Sequence, residues 1–337
     1  MTRKQQKQAP YLVVLSVGFY MATSIVMLSA NKMVLLKVAL PVTFLWVQML
    51  IAVFWMHVGH ALGCFVLPQA RVETAKKLWA LITINVLGLT LNTYTIQYGD
   101  ASFYQIARGL VLPLTVALSW MCFLPPSKMV LASCGIITVG YVVGTFLESS
   151  SVQISTPAVV LGALSSAATA LHAIVIKRSA KHTPSLVDLV YYNNLFSAAC
   201  FPVIIILSGE GTTCIKYLCQ LLYGVQESSF EEDGQFKTFV LGCLLTGSLG
   251  FALNAASFFQ IKVTSPTSHV ISSAARGVLQ ALVARVLFDD TITSVRAMSI
   301  LIITCGSCVY TLIRSWETRA VDGRDMPATA RSSVQTV

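Results

Sequence analysis

The sequence predicts an all-α membrane protein of ten transmembrane helices arranged as two inverted five-helix repeats. Three observations carry this. Of 337 residues, 55% are hydrophobic and 11% charged, against roughly 25% charged in soluble domains, and mean hydropathy is +0.73. The apolar residues gather into runs of about 20, the length that one bilayer crossing needs. Finally, Ala-Arg-Gly occurs in the fourth run, at 107–109, and again in the ninth, at 275–277, an offset of 168 residues or half the chain. A five-span unit is odd-numbered, so its second copy inserts upside down, the plan of many secondary transporters.

In order, the spans fall at about 11–31, 41–65, 78–98, 102–124, 128–147, 157–177, 185–208, 237–258, 264–287 and 294–314. The first follows a basic tail, residues 1–10, and has no small-residue cleavage site, so it reads as a retained helix. The transporter domain then covers 11–315, with repeat one at about 11–147 and repeat two at about 157–314, before a polar, disordered tail at 316–337. An even count puts both termini on one side. That side collects Arg3, Lys4, Lys7, Arg71, Lys76, Lys77, Lys128, Lys177, Arg178, Lys181, Lys262 and Arg314. The other keeps Asp100, Glu148, Glu210, Glu231, Glu232, Asp233, Asp289 and Asp290. Basic loops stay in the cytosol, so both termini are expected there. The net charge of +9 is therefore a topology signal, and no nucleic-acid partner is expected.

Six cysteines fall within spans as small apolar packers: Cys122, Cys134, Cys200, Cys243, Cys305 and Cys308. Cys214 and Cys219 share the longest loop and are candidates for a disulfide in an oxidising lumen. There is no metal-ligand spacing, no paired carboxylate within a span and no glycine-rich phosphate loop, so no metal, cofactor or enzymatic chemistry is expected. His57, His60 and His172 are either hydrogen-bonded core residues or proton relays. Gly140 and Gly144 form a small-xxx-small pair, for helix packing or a homodimer. The partners are otherwise membrane lipids.

The candidate site comes from polar groups inside the spans. An intramembrane arginine costs about 2.5–3.5 kcal/mol on insertion scales, so it faces a cavity or a partner. Arg108 and Arg276, flanked by Tyr104, Gln105, Ser272 and Ser273, either clamp an anion such as phosphate bidentately or cap backbone carbonyls. The seventh span carries Tyr191, Tyr192, Asn193 and Asn194 in sequence. Its amides can read the edge of a planar base and its rings can stack on one; as neighbours on a helix they can also be interhelical glue. The eighth span has Gly242, Gly247 and Gly250 before Asn254, which permits close backbone approach to a helix or a ligand. Lys262 and Thr264 sit where the ninth helix begins, and Pro266 suits its first turn. That N-terminus is capped locally, binds an anion, or both.

Several of these strings resemble a known family. LVYYNNLF is similar to the FYNN motif of GDP-sugar transporters, with Tyr191 in place of Phe. QIKVTSP, from Gln260 to Pro266, resembles a segment of GDP-fucose transporters; SFYQIARGL resembles their fourth-span signature, and Tyr20 with Asn31 and Lys32 their first-span pattern. The resemblance covers nearly the whole chain and implies the drug/metabolite transporter fold. It further implies a Golgi exchanger that imports GDP-fucose and returns GMP, with the endoplasmic reticulum as the alternative location. On that resemblance, Asn193 and Asn194 hydrogen-bond guanine, and Tyr20 lines the cavity. The stretch from Gly250 to Asn254 faces the sugar, and Arg108 and Arg276 face the phosphates. The sequence departs from GDP-mannose transporters, whose eighth helix carries GALNK, because Ala255 stands where that lysine would be. It departs from GDP-fucose transporters in having Arg276 where a ninth-helix lysine is common. A GDP-mannose or broader GDP-sugar exchanger, and a non-transporting scaffold, are the competing readings.

Overall fold

The computed structural model describes residues 10–122, 125–147, 155–223, 230–263, 266–289 and 292–322, which form helices and no strand. Ten helical segments are long and apolar enough to cross a membrane. The chain is thus a multi-pass membrane protein, as the hydropathy pattern predicts. The first three spans are α1 (Pro10–Lys37), α2 (Pro41–Ala61) and α4 (Trp79–Tyr98), with the short α3 (Val72–Lys77) before the third. The fourth is built from α5 (Ala101–Gly109) and α6 (Val111–Cys122), with a break at Leu110, directly after Arg108 and Gly109. Then follow α7 (Lys128–Phe146), α8 (Thr156–Ser179), α9 (Leu186–Leu207), α11 (Phe230–Val263), α12 (Pro266–Phe288) and α13 (Ser294–Asp322). The last helix continues past the expected end of its span to Asp322.

The helix pairings repeat with two-fold logic. α4 lies along α8 as α11 lies along α1, and α9 meets α4 as α2 meets α11. Exchanging the first five spans with the last five turns each pairing into the other. It leaves the α2–α9, α7–α13 and α5–α12 contacts unchanged. Local starts follow from sequence: Pro41 opens α2, the Ser127 hydroxyl accepts from Val130 N at 3.3 Å to cap α7, and Ser185 does the same for Asp188 N at 3.0 Å in α9. Gly140 and Gly144 are used within the chain. A Cβ on Gly140 would lie 2.8 Å from Ile303 and one on Gly144 would lie 2.7 Å from the Ser299 Cβ, so α13 fits against α7 only because both are glycine.

Three buried charges on the face opposite the termini are compensated. Lys32, 6% exposed, donates to the Ile96 and Gly99 carbonyls at 2.7 and 2.6 Å, closing the C-terminal end of α4. Arg296, fully buried, pairs with Asp100 at 2.9 Å and donates to Ser102. Glu210 caps α2 from outside. Its carboxylate accepts from Val42 N at 3.0 Å and from Thr43 N and Oγ1, each at 2.7 Å. Leu40, the residue at the cap position, offers no side-chain acceptor, so α2 relies on an anion lent by the other repeat.

The expected long loop after α9 instead forms α10 (Gly211–Tyr223), with Ile215, Leu218 and Leu222 exposed along one side. Its Cys214 and Cys219 are both free. Five residues apart on a helix, they project about 140° from each other, which rules out the bridge considered above. Burial pushes the Cys214 thiol up from its ordinary pKa, whereas Cys219 is exposed.

Two outcomes follow. Replacing Glu210 by Ala removes hydrogen bonds to a charged group worth about 1.5–3 kcal/mol, and should lower the melting temperature of the purified protein by roughly 4–10 °C. Glu73→Ala, on the exposed first turn of α3, should leave it nearly unchanged. In single-cysteine variants, a maleimide should label Cys219 faster than Cys214 at pH 7, because only the thiolate reacts.

Candidate functional site

The two repeat-related arginines meet. Arg108 on α5 and Arg276 on α12 line one cavity of about 200 Å³ together with Gln105 and Ser273. The helices that carry them are tied by Gln105 Nε2 donating to Gln280 Oε1 at 2.8 Å. Arg276 is 8% exposed and fixed on three sides: Nη1 donates to Ser24 Oγ at 2.7 Å, Nη2 donates to Ser273 Oγ at 3.1 Å, and the guanidinium lies 5.3 Å from the Tyr20 ring centroid. Its Nε has no partner among the described residues. Tyr20 is buried and packs against the His269 ring at 4.8 Å. Arg108 is exposed to its cavity, and its guanidinium stands 5.7 Å from the ring of buried Tyr104. Among the described residues it makes no hydrogen bond or ion pair, and no carboxylate lines the cavity.

Both readings of the arginines thus receive a partial answer. Arg276 does hold neighbouring groups, but these are neutral hydroxyls and a ring face, which orient a cation without cancelling its charge. Arg108 has only the ring.

The asparagines divide. Asn194 lines a second cavity of about 410 Å³, and Asn254 lines the same one, with Phe65 and Phe251 also on its wall. The rest of that wall is aliphatic. Asn254 Nδ2 donates to Gly250 O at 3.1 Å, which leaves its carbonyl oxygen for another partner. Gly250 itself has room: a Cβ there would meet only the Met27 Cε, at 3.4 Å. The resemblance gives Asn193 and Asn194 one task and Asn254 another, whereas the fold gathers Asn194 and Asn254 in one cavity. Asn193 points elsewhere; its Oδ1 is buried with no hydrogen-bond partner among the described residues. An amide oxygen left so costs about 1–3 kcal/mol.

The tyrosines hold the cavity wall. The Tyr192 hydroxyl donates to Gln69 O at 2.7 Å and accepts from Arg71 N at 3.2 Å, which ties the segment after α2 to α9, while its ring stacks on Phe196. Tyr191 packs edge-on against His57, which is itself anchored on Val53 O. Lys262 contributes its backbone to α11, but its side chain and the whole of Thr264 lie outside the described residues.

Sequence reasoning passed over Asn85 and Asn92. Seven apart in α4, they share a helical face and line a third cavity of about 200 Å³, with Arg108, Thr169 and His172. The spacing was the available signal. No group of histidines, cysteines or carboxylates among the described residues could hold a metal ion.

Removing the Tyr192 hydroxyl (Tyr192→Phe) should free the 62–71 segment. Its amides should exchange hydrogen at least about tenfold faster, as read by mass spectrometry, with α9 itself unaffected.

The chain is similar to known transporters. A model of the triose-phosphate transporter family matches residues 11–311. An uncharacterised transporter of Schizosaccharomyces pombe is 30% identical over 290 residues, covering 86% of this chain and 71% of that protein. The GDP-fucose transporter, Golgi, of Drosophila melanogaster is 27% identical over 315 residues, covering 89% of each. One solved crystal structure superposes with a TM-score of 0.50 at 16% identity, over 88% of this chain and 98% of that one.

Proposed function

The chain belongs to the triose-phosphate transporter family, and from that premise we propose that it is a Golgi nucleotide-sugar antiporter, importing GDP-fucose into the lumen in exchange for GMP by alternating access. The observation that carries this is the pair of arginines on one cavity with no carboxylate among the described residues of its wall. Two guanidiniums on one cavity call for an anion with several oxygens, and a diphosphate supplies both charges and bidentate acceptors.

The base then takes the cavity of Asn194 and Asn254, where Phe65 and Phe251 offer ring faces and the amides read polar edges. Asn193, which the resemblance also assigned to guanine, points away from that cavity and is left out of the base site. Tyr20 and Tyr104 steady the arginines, Ser273 orients Arg276, and Tyr191 and Tyr192 hold the base cavity's wall. Lys262 and Thr264 are assigned to the approach at the start of α12. The excess of Lys and Arg on the side of the termini puts both termini in the cytosol. Names of relatives, the Drosophila Golgi GDP-fucose transporter among them, support the substrate and the compartment.

A GDP-mannose or broader GDP-sugar exchanger is the second reading, favoured by one feature: Asn254 is shared with the GALNK motif. A scaffold would not retain two uncompensated cations in hydrocarbon.

Binding to purified protein tests the reading. GMP at about 100 times its Kd should stabilise the fold by about 2.7 kcal/mol through linkage, and UMP should do far less. Arg276→Ala should keep the fold but weaken GMP by at least about tenfold, the loss of one charge-assisted pair, and abolish uptake of GDP-fucose. Asn194→Ala should weaken guanine nucleotides selectively. A folded Arg276→Ala variant with an unchanged GMP shift would contradict the phosphate role.

A further inference from the structure

We propose that the third cavity, between α4, α8 and α5, receives the sugar of the nucleotide sugar, and that Asn92, Thr169 and His172 read its hydroxyls. This rests on the reading above and assigns a part of the ligand that it leaves unplaced.

The argument starts from unsatisfied groups. Asn92 lines the cavity and makes no side-chain hydrogen bond among the described residues. His172 lines it too, and its Nε2 is buried with no partner among the described residues. Thr169 donates its hydroxyl proton to Ser165 O at 2.8 Å, so its oxygen is left to accept. Asn85 spends its Nδ2 on Ser197 Oγ at 2.9 Å and keeps its carbonyl oxygen. Buried polar groups are ordinarily paired. Here the cavity is lined by an amide, an imidazole nitrogen and two acceptor oxygens without partners among the described residues, a mixed set of donors and acceptors suited to hydroxyls. Apart from Arg108 at its border, these groups suit a bare anion, which accepts only, less well than a hydroxyl.

Size and connection agree. A space of about 200 Å³ equals about seven waters at ~30 Å³ each, the scale of one pyranose ring. Ile84, Gly88 and Leu89, on the same helix as Asn85 and Asn92, add an apolar strip to the lining that suits a 6-deoxy sugar's methyl group. Arg108 borders this cavity and also the one it shares with Arg276. In a sugar diphosphate the sugar is attached to the terminal phosphate, so it must lie next to the anion site. The base cavity meets neither arginine and offers only two polar side chains, which makes it the poorer seat for a polyol.

The test is displacement of labelled GMP from the purified protein by unlabelled GMP and by GDP-fucose. Asn92→Ala, His172→Ala and the isosteric Thr169→Val are compared with the unsubstituted chain. GMP should compete within about twofold in every variant, while GDP-fucose should need about tenfold more, the effect of one lost hydrogen bond. Thr169→Val keeps the shape of its site, so its result stands even where a larger truncation disturbs folding. GDP-fucose competing unchanged in all three, or losing in step with GMP, would overturn the sugar site while leaving the nucleotide reading intact. An unsubstituted chain that binds no GMP would remove that reading, and this inference with it.

Discussion

A guanidinium in hydrocarbon is tolerated when something offsets the cost of its desolvation. Arg108 and Arg276 have hydroxyls and tyrosine rings around them but no counter-charge on their shared cavity. The rest of the bundle keeps them there. The helix break at Leu110 follows Arg108 directly, the Gln105–Gln280 bond draws α5 to α12, and Gln280 also donates to Ser24 O at 3.0 Å, fastening α12 to α1. On the proposed function the missing partner is a ligand, and the empty carrier is then an electrostatically unfavourable state.

The opposite end of the bundle shows how the same chain treats a charge meant to stay put. Lys32, Glu210 and Arg296 are each buried and each satisfied by helix-end groups or a carboxylate. Two of these contacts join the repeats: Glu210 to the start of α2, and Arg296 to Asp100. In the proposed alternating-access cycle they would be the links that part when that face opens, and their strength would set how strongly the conformation seen here is favoured.

Much of this architecture was legible because the bilayer imposes a coarse code: run length gives spans, and the half-chain repeat of Ala-Arg-Gly gives the inverted plan. Arg108 and Arg276 could be found for the same reason, as charges in the wrong solvent. The grouping of the asparagines was not legible. Asn193 and Asn194 are neighbours in sequence but diverge on the helix, while Asn194 and Asn254 converge from different helices. Glu210 read as an ordinary loop acid, because only tertiary structure brings it to a helix start 168 residues away. Helix α10 hid in a loop because its amphipathic pattern is too short to span. The use of Gly140 and Gly144 against α13 was a matter of which partner helix arrives, which a motif does not specify.

The central claim is that two uncompensated arginines bind the travelling anion and hinder the empty carrier from reorienting. The most direct measurement is uptake of labelled GDP-fucose into liposomes containing the purified protein, with and without GMP inside. The account predicts rapid uptake into GMP-loaded vesicles and uptake near background into empty ones, since return of the unliganded carrier exposes both guanidiniums to the cost of reorientation. Equal uptake in both would contradict it: the empty cavity would then cross as readily as the filled one, and the arginines would not be the element that couples the two substrates.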